Sequence, residues 1–206
     1  MFDRNYVKER FKNHKATIKF YDNITVLDFK NPNSNEYRIR FLFENDYYRL
    51  HISGDLGELT ATNFNNMTYK RFDDFVRDVD YFKTKINCCN RPLYYYSEAS
   101  IRTDVLKLIP KTCPVETFAK MYMQSSGEEA SENYQKDLNS FFDELLYDYS
   151  IESGMSVRAY RLLEDLLNDE FDVWDRKIGR RSTEILEIYM TAFKMAQEQL
   201  TKKNEE

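Results

Sequence analysis

The side chains best suited to metal binding or covalent catalysis are few in this chain. It contains 2 histidines, His14 and His51, and 3 cysteines, Cys88, Cys89 and Cys113. The adjacent cysteine pair lacks the two-residue gap that lets two thiolates converge on one zinc ion, and the histidines are far apart in sequence. Cys113 and a distant histidine would make a nucleophile and a base, but their spacing does not favour that pairing over free thiols. We therefore expect no metal site, no cofactor and a protein that is not an enzyme.

A second polar feature is the corner Gly54-Asp55-Leu56-Gly57. The Asp55 carboxylate could face a cation and the corner's amides could face a phosphate, but the G-x-x-x-x-G-K pattern of a phosphate-binding loop is missing. The alternative is a turn in which glycine supplies a positive φ. Because polar corners at strand ends often carry contacts, Asp55 stays a candidate binding residue.

The carboxylates of the second half give the clearest electrostatic pattern. The net charge is −5 and the isoelectric point is near 5.3, and residues 126–172 alone hold 3 Lys+Arg against 13 Asp+Glu. Carboxylates one helical turn apart, at about 5.4 Å, approach the charge spacing of a nucleic-acid strand. Such a surface is predicted to occupy the basic nucleic-acid-binding surface of another protein, and a solvated acidic face is the alternative. The predicted partner-binding residues are Asp137, Asp143, Glu144, Asp148, Glu152, Glu164, Asp165, Asp169 and Asp55.

Three arginines support a different hypothesis. Arg38 and Arg40 alternate along one predicted strand and Arg49 lies on the next, so they are predicted to share a sheet face with nearby tyrosines. Such a face would bind nucleic acid directly, through phosphate contacts and base stacking. The acidic isoelectric point argues against strong general binding of nucleic acid, and a solvated sheet face is again the alternative.

Hydrophobic periodicity predicts the elements that would position these residues. Apolar and polar residues alternate over residues 17–28, 37–43 and 48–52, which indicates an antiparallel meander of three to five strands. From residue 72 to 86 the apolar positions follow the helical period and predict one long amphipathic helix. Ser97 is the expected N-cap of a shorter helix.

The second half of the chain is predicted to be helical. Ser125-Ser126-Gly127 is the most linker-like stretch, and amphipathic helices are predicted over residues 132–150, 156–171 and 182–196. Short connections between them are typical of a small bundle. The predicted fold class is α+β: an N-terminal antiparallel β-meander packed on helices (residues 1–125), followed by a C-terminal acidic helical bundle (residues 126–206). One continuous domain is the alternative.

Composition adds two expectations. With 16 Tyr and 15 Phe among 206 residues, the chain should have a core filled with aromatic rings, the alternative being a tyrosine-rich contact face. No apolar run approaches the roughly 20 residues that cross a bilayer, and the charged N-terminus has no apolar signal-peptide core. Free thiols fit the reducing cytoplasm, so we expect a cytoplasmic protein that does not bind a membrane.

Residues 25–90 resemble a family of uncharacterised proteins from phages and mobile elements of Gram-positive bacteria. The shared pattern is an Asp-Phe-x-x-Pro loop, a Tyr-x-Ile-Arg strand, an Ile-Ser-Gly-Asp-Leu-Gly corner and a Tyr-Phe helix ending at Cys. In this chain it comprises Asp28, Phe29, Pro32, Tyr37, Ile39, Arg40, residues 52–57, Tyr81, Phe82 and Cys88. The resemblance assigns no residue a role.

What the resemblance implies is an accessory protein acting in the cytoplasm of a bacterial host, of the kind that inhibits host defence systems such as CRISPR nucleases. With the charge pattern, it gives the expected function: a non-enzymatic acidic protein whose helices bind and inhibit a host defence complex, like an anti-CRISPR protein that mimics DNA. A direct nucleic-acid-binding accessory protein that uses the arginine–tyrosine sheet face is the alternative.

Overall fold

The chain divides into two compact units. The computed structural model describes residues 2–167 and 177–205, with side chains described up to residue 202. The first unit comprises Met1–Leu93 and Thr183–Glu206, and the second is Tyr94–Ser182. The second unit is therefore an insertion between two segments of the first. The boundary expected at residue 125 falls inside the second unit, between two of its helices.

The first unit contains a six-stranded antiparallel sheet in which sequence neighbours pair. Residues on one face, such as Leu27, Phe41 and Leu50, are buried, while their sequence neighbours are more exposed. This sheet, with helices following it, confirms the predicted α+β class. The strands are Lys15–Tyr21 (β1), Ile24–Lys30 (β2), Ile39–Glu44 (β3), Arg49–Gly54 (β4), Leu59–Thr62 (β5) and Ile86–Cys89 (β6).

Eight α-helices and a short β-ribbon account for most of the other described residues. The ribbon pairs Tyr94–Tyr96 (β7) with Arg180–Ser182 (β8) in antiparallel register. The helices are Arg4–Arg10 (α1), Asp73–Arg77 (α2), Val79–Lys83 (α3), Glu98–Leu108 (α4), Val115–Ser125 (α5), Tyr134–Leu145 (α6), Val157–Leu167 (α7) and Ile185–Glu205 (α8).

The prediction of a single helix over residues 72–86 is wrong. Asp78 interrupts it with φ −129° and ψ 83°, and its carboxylate accepts a hydrogen bond from the Tyr81 amide at 2.8 Å, which starts α3. Phe72, Phe75 and Phe82 nevertheless face one core and are fully buried, which is why their spacing imitated a continuous helix. The chain then passes into β6.

The C-terminal helix also differs from expectation. It was predicted to begin at Ser182 and to join the bundle, but Ser182 ends β8 and α8 packs against α1, α2 and the first two strands. Its Phe193 ring lies 5.4 Å from Phe41 and 4.8 Å from Phe72, between ring centroids. The bundle therefore consists of α4 to α7, because the apolar face of α8 is buried on the sheet.

Aromatic rings fill the cores of both units. In the described part of the chain, each of the 12 largest fully buried side chains is Phe or Tyr. In the second unit, the Phe118 and Phe141 rings pack edge to face, with their centroids 5.0 Å apart. The aromatic-core prediction is confirmed. Among the described helices, none combines the length and apolar character needed to cross a membrane.

Candidate interaction surface

The acidity of the protein belongs to the second unit. That unit holds 11 Lys+Arg against 17 Asp+Glu, whereas the first unit holds 19 against 18. The first unit is therefore almost neutral. A partner selected by charge would be expected to meet the second unit.

Asp137 does not belong to an exposed acidic face. It is 2 % exposed, and its carboxylate accepts a hydrogen bond from the Ser131 amide at 2.9 Å. This contact fixes the chain just before α6. Asp137 precedes Phe141 by four residues, so the helical period itself places it on the apolar stripe. Its predicted role as a contact residue is wrong, because the side chain is inaccessible.

Asp143 and Glu144 are held by cations of the same unit. Arg102 lies 3.5 Å from Asp143. Glu144 accepts hydrogen bonds from Arg158 at 2.8 Å and from the Tyr122 hydroxyl at 3.1 Å. Burial, aided by this hydrogen bond, raises the pKa of Tyr122 to about 12, so the hydroxyl stays a donor to Glu144 at neutral pH. Glu144 is thus largely committed to internal contacts, while Asp143 remains well exposed.

On α7 the acidic pattern is mixed with arginine. Glu164 is half-buried, and Asp165 lines a shallow depression with Glu144, Arg158 and Arg161. Asp169 lies outside the described residues. The α7 surface is therefore less acidic than its carboxylates alone suggest.

Asp148 and Glu152 are the predicted contact residues that are most available. Both are exposed, and neither forms an ion pair with any residue that the structure describes. They belong to the connection between α6 and α7, where Tyr147 and Ile151 are 80 % and 62 % exposed. Val157, the first residue of α7, is 57 % exposed. We call these five side chains the turn surface. It combines two carboxylates with three apolar groups in a short segment.

The backbone of this connection is well fixed. Ser150 and Gly154 exchange two backbone hydrogen bonds of 2.9 Å, and the Tyr96 amide of β7 donates to the Ile151 carbonyl at 2.9 Å. Leu146 and Met155 anchor its ends in the core. Because the backbone is held, little conformational entropy should be lost on binding a partner.

The sequence did not single out this apolar component. Tyr147 and Ile151 resemble ordinary helix-boundary residues. Periodicity places Val157 on the inward face of the helix predicted over residues 156–171, and that placement is wrong, because its side chain is 57 % exposed. The signal that could have found them is their concentration around Ser153-Gly154, a turn flanked by acidic residues. Exposed apolar side chains grouped with charge are typical of binding surfaces.

Asp55 lies in the first unit and closes the glycine corner. Its amide donates to the Arg38 carbonyl at 3.2 Å, and its carboxylate accepts from Arg38 Nε at 3.1 Å. A Cβ at Gly54 would lie 2.0 Å from that same carbonyl, so the close approach requires glycine. The corner is accounted for by its own internal contacts.

The arginine face is largely neutralised by carboxylates. Arg40 makes two hydrogen bonds to Asp28, at 2.7 and 3.0 Å, and Arg49 lies 3.4 Å from Glu44. Arg38 is paired with Asp55 as described above. Phosphates would have to compete with these carboxylates, which counts against a nucleic-acid-binding sheet face.

The three cysteines, Cys88, Cys89 and Cys113, are free thiols. No cluster of three or more His, Cys, Asp or Glu side chains suited to a metal ion occurs in the described part of the chain. Burial raises the pKa of the Cys113 thiol, which disfavours the reactive thiolate.

Comparison of the chain with protein-family models, with curated proteins and with solved structures gave no match. The resemblance to phage proteins therefore stays a prediction that rests on the motif residues alone.

Proposed function

We propose that the protein is a non-enzymatic binding protein whose second unit contacts a basic, nucleic-acid-binding surface of a host protein complex and blocks it. The observation that supports this most is the turn surface, since Asp148 and Glu152 are exposed, have no ion-pair partner among the residues described, and accompany three exposed apolar side chains. The resemblance to phage proteins supplies the biological setting, inhibition of a defence complex such as a CRISPR nuclease.

Charge and apolar contact would have separate roles in this complex. Carboxylates on a preformed turn steer a basic partner and are screened by salt. An exposed tyrosine or isoleucine contributes affinity by filling a pocket at the centre of an interface. The turn surface carries both, whereas a purely solvating acidic face would not need Tyr147 and Ile151.

The test is affinity capture from a lysate of a Gram-positive bacterium at about 0.1 M and about 0.5 M salt. The tagged wild type is compared with Asp148→Asn/Glu152→Gln, whose side chains keep their shape and lose their charge. The control is Glu128→Gln/Glu129→Gln, which removes two exposed charges from another connection of the same unit.

We expect a nucleic-acid-binding protein to be recovered at low salt by the wild type and the control, but not by the turn variant. Recovery of nucleic acid without protein would support the sheet-face alternative. Equal recovery by all three chains would contradict a role for the turn surface.

A further inference from the structure

A groove in the first unit has the shape and chemistry of a small-molecule site. It lies between α1, α2 and α8 and encloses about 480 Å³, within the range of pockets that hold small ligands. We infer that it binds an amphiphilic organic anion, with an aliphatic tail on one anionic head group. This inference is independent of the proposed partner contact, which concerns the second unit.

The rim of the groove is positively charged. Four cationic and two acidic side chains line it: Arg4, Lys8, Arg77, Lys194, Asp73 and Glu198. Asp73 lies 3.2 Å from Arg77 and 3.4 Å from Lys194, so one carboxylate forms ion pairs with two cations. The lining therefore retains an excess of positive charge that an anion would neutralise.

Arg4 and Lys8 are the cations most available to a ligand. They lie one helical turn apart on α1, so they project from the same side of that helix. Both are exposed, and the described residues offer neither of them an ion-pair partner. Two such donors on one edge of the groove suit a carboxylate or sulfate head group.

The apolar wall of the groove consists of Val76, Met190 and Met195, and Thr191 also lines the groove. Val76 and Met195 are half-buried, and Met190 is only 3 % exposed although it lines the groove. Methionine side chains are flexible and polarisable and adapt to apolar ligands. An inorganic anion would leave this wall unused, and a neutral hydrocarbon would leave the cationic rim unused. A ligand with both parts uses the whole groove.

The test uses octanoate as the probe, with acetate as the head group alone and 1-octanol as the tail alone. The full chain carries ¹³C-labelled methionine methyl groups, and NMR titration follows its 7 methionines. We expect saturable shifts of Met190 and Met195 with octanoate, weaker shifts with 1-octanol, and none with acetate. Shifts confined to Met123 and Met155, which lie in the second unit, would overturn the inference.

A charge variant tests the rim. Arg4→Gln/Lys8→Gln should weaken octanoate binding roughly three- to tenfold and leave 1-octanol binding unchanged. The control, Lys15→Gln/Lys19→Gln, removes two exposed charges from β1, outside the groove, and should bind octanoate as the wild type does. Equal loss in both variants would show that net charge, not the groove, attracts the anion and would overturn the inference.

Discussion

Asp104 joins two distant parts of the second unit through one carboxylate. It accepts hydrogen bonds from Arg181 Nη1 and Nη2 at 2.8 and 2.9 Å, and from the Gly179 amide at 2.9 Å. The hydrogen bonds from Arg181 hold the pKa of Asp104 below its usual value, against the opposing effect of burial. A bidentate pair of this kind fixes β8 against α4.

Asp104→Asn should therefore destabilise the second unit by about 1–3 kcal/mol, measured by urea denaturation at pH 7. The stabilisation from the Asp104 carboxylate is complete above about pH 4 and is lost as the pH falls through the lowered pKa. The difference in stability between the wild type and Asp104→Asn should therefore become smaller in acid. Asp80→Asn is the control, since the Asp80 side chain is 91 % exposed and forms a surface ion pair with Lys83; it should change stability by less than about 0.5 kcal/mol. Equal losses of stability in Asp104→Asn and Asp80→Asn would contradict the stabilising role of the Asp104 contacts.

His14 is buried between aromatic rings. Its centroid lies 4.9 Å from that of Phe11 and 5.1 Å from that of Phe29. Nε2 lies 3.1 Å from the Tyr37 carbonyl, and Nδ1 has no partner among the described residues. Burial lowers the pKa of His14, in spite of the contact with Tyr37. The ring is thus neutral in the folded protein at pH 7.

Because the unfolded chain binds a proton at His14 more readily, the free energy of unfolding should fall as the pH drops below about 6.5, through the lowered pKa. His14→Phe should flatten this dependence between pH 7 and 5.5, as followed by thermal unfolding. Phe29→Leu, a core change without a titratable group, should lower stability at every pH and keep the slope. If the pH dependence of stability persists in His14→Phe, it arises from other groups.

The α6–α7 connection depends on Gly154. Its φ is +79°, and a Cβ there would lie 2.8 Å from the Tyr96 ring. Gly127, with φ +75°, has no atom within 4 Å of such a Cβ. The two positions share a left-handed backbone and differ in the space around it.

Gly127→Ala should therefore cost about 1 kcal/mol from backbone strain alone. Gly154→Ala should cost more, about 2–4 kcal/mol, because the β7 contact must also shift. Thermal unfolding of the two variants measures the difference. Equal losses would mean that Tyr96 does not hold the turn.

The elements that the sequence predicted well are those with one buried face. Alternation specified the meander, and Ser97 caps α4 as expected, accepting from the Ser100 amide at 3.2 Å. The break at Asp78 was missed because buried phenylalanines on both sides kept the helical period. The location of α8 was missed because periodicity identifies an apolar face and not the surface that covers it.

The candidate site was predictable in its charge and not in its geometry. Counting carboxylates located the acidic segment, but counting does not distinguish the buried Asp137 or the paired Glu144 from the exposed Asp148. Only the packing of the turn shows which carboxylates remain free and which apolar groups accompany them.

The two units of the molecule differ in net charge. The first unit is almost neutral, and the second carries the net negative charge. We predict that the second unit provides the partner contact, with Tyr147 at its centre. Tyr147→Ala should weaken partner binding by about 2 kcal/mol, roughly thirtyfold in Kd, without lowering the melting temperature, because the side chain is 80 % exposed. Titration calorimetry with the captured partner measures this change, and an unchanged Kd would place the contact elsewhere.

A competition for the partner's nucleic-acid site would show whether the second unit blocks that site. Fluorescence anisotropy follows a labelled duplex bound to the captured partner while the wild type or Asp148→Asn/Glu152→Gln is added. We expect the wild type to release the duplex and the variant to need a much higher concentration to do so. A ternary complex, in which the protein binds while the duplex stays bound, would contradict it.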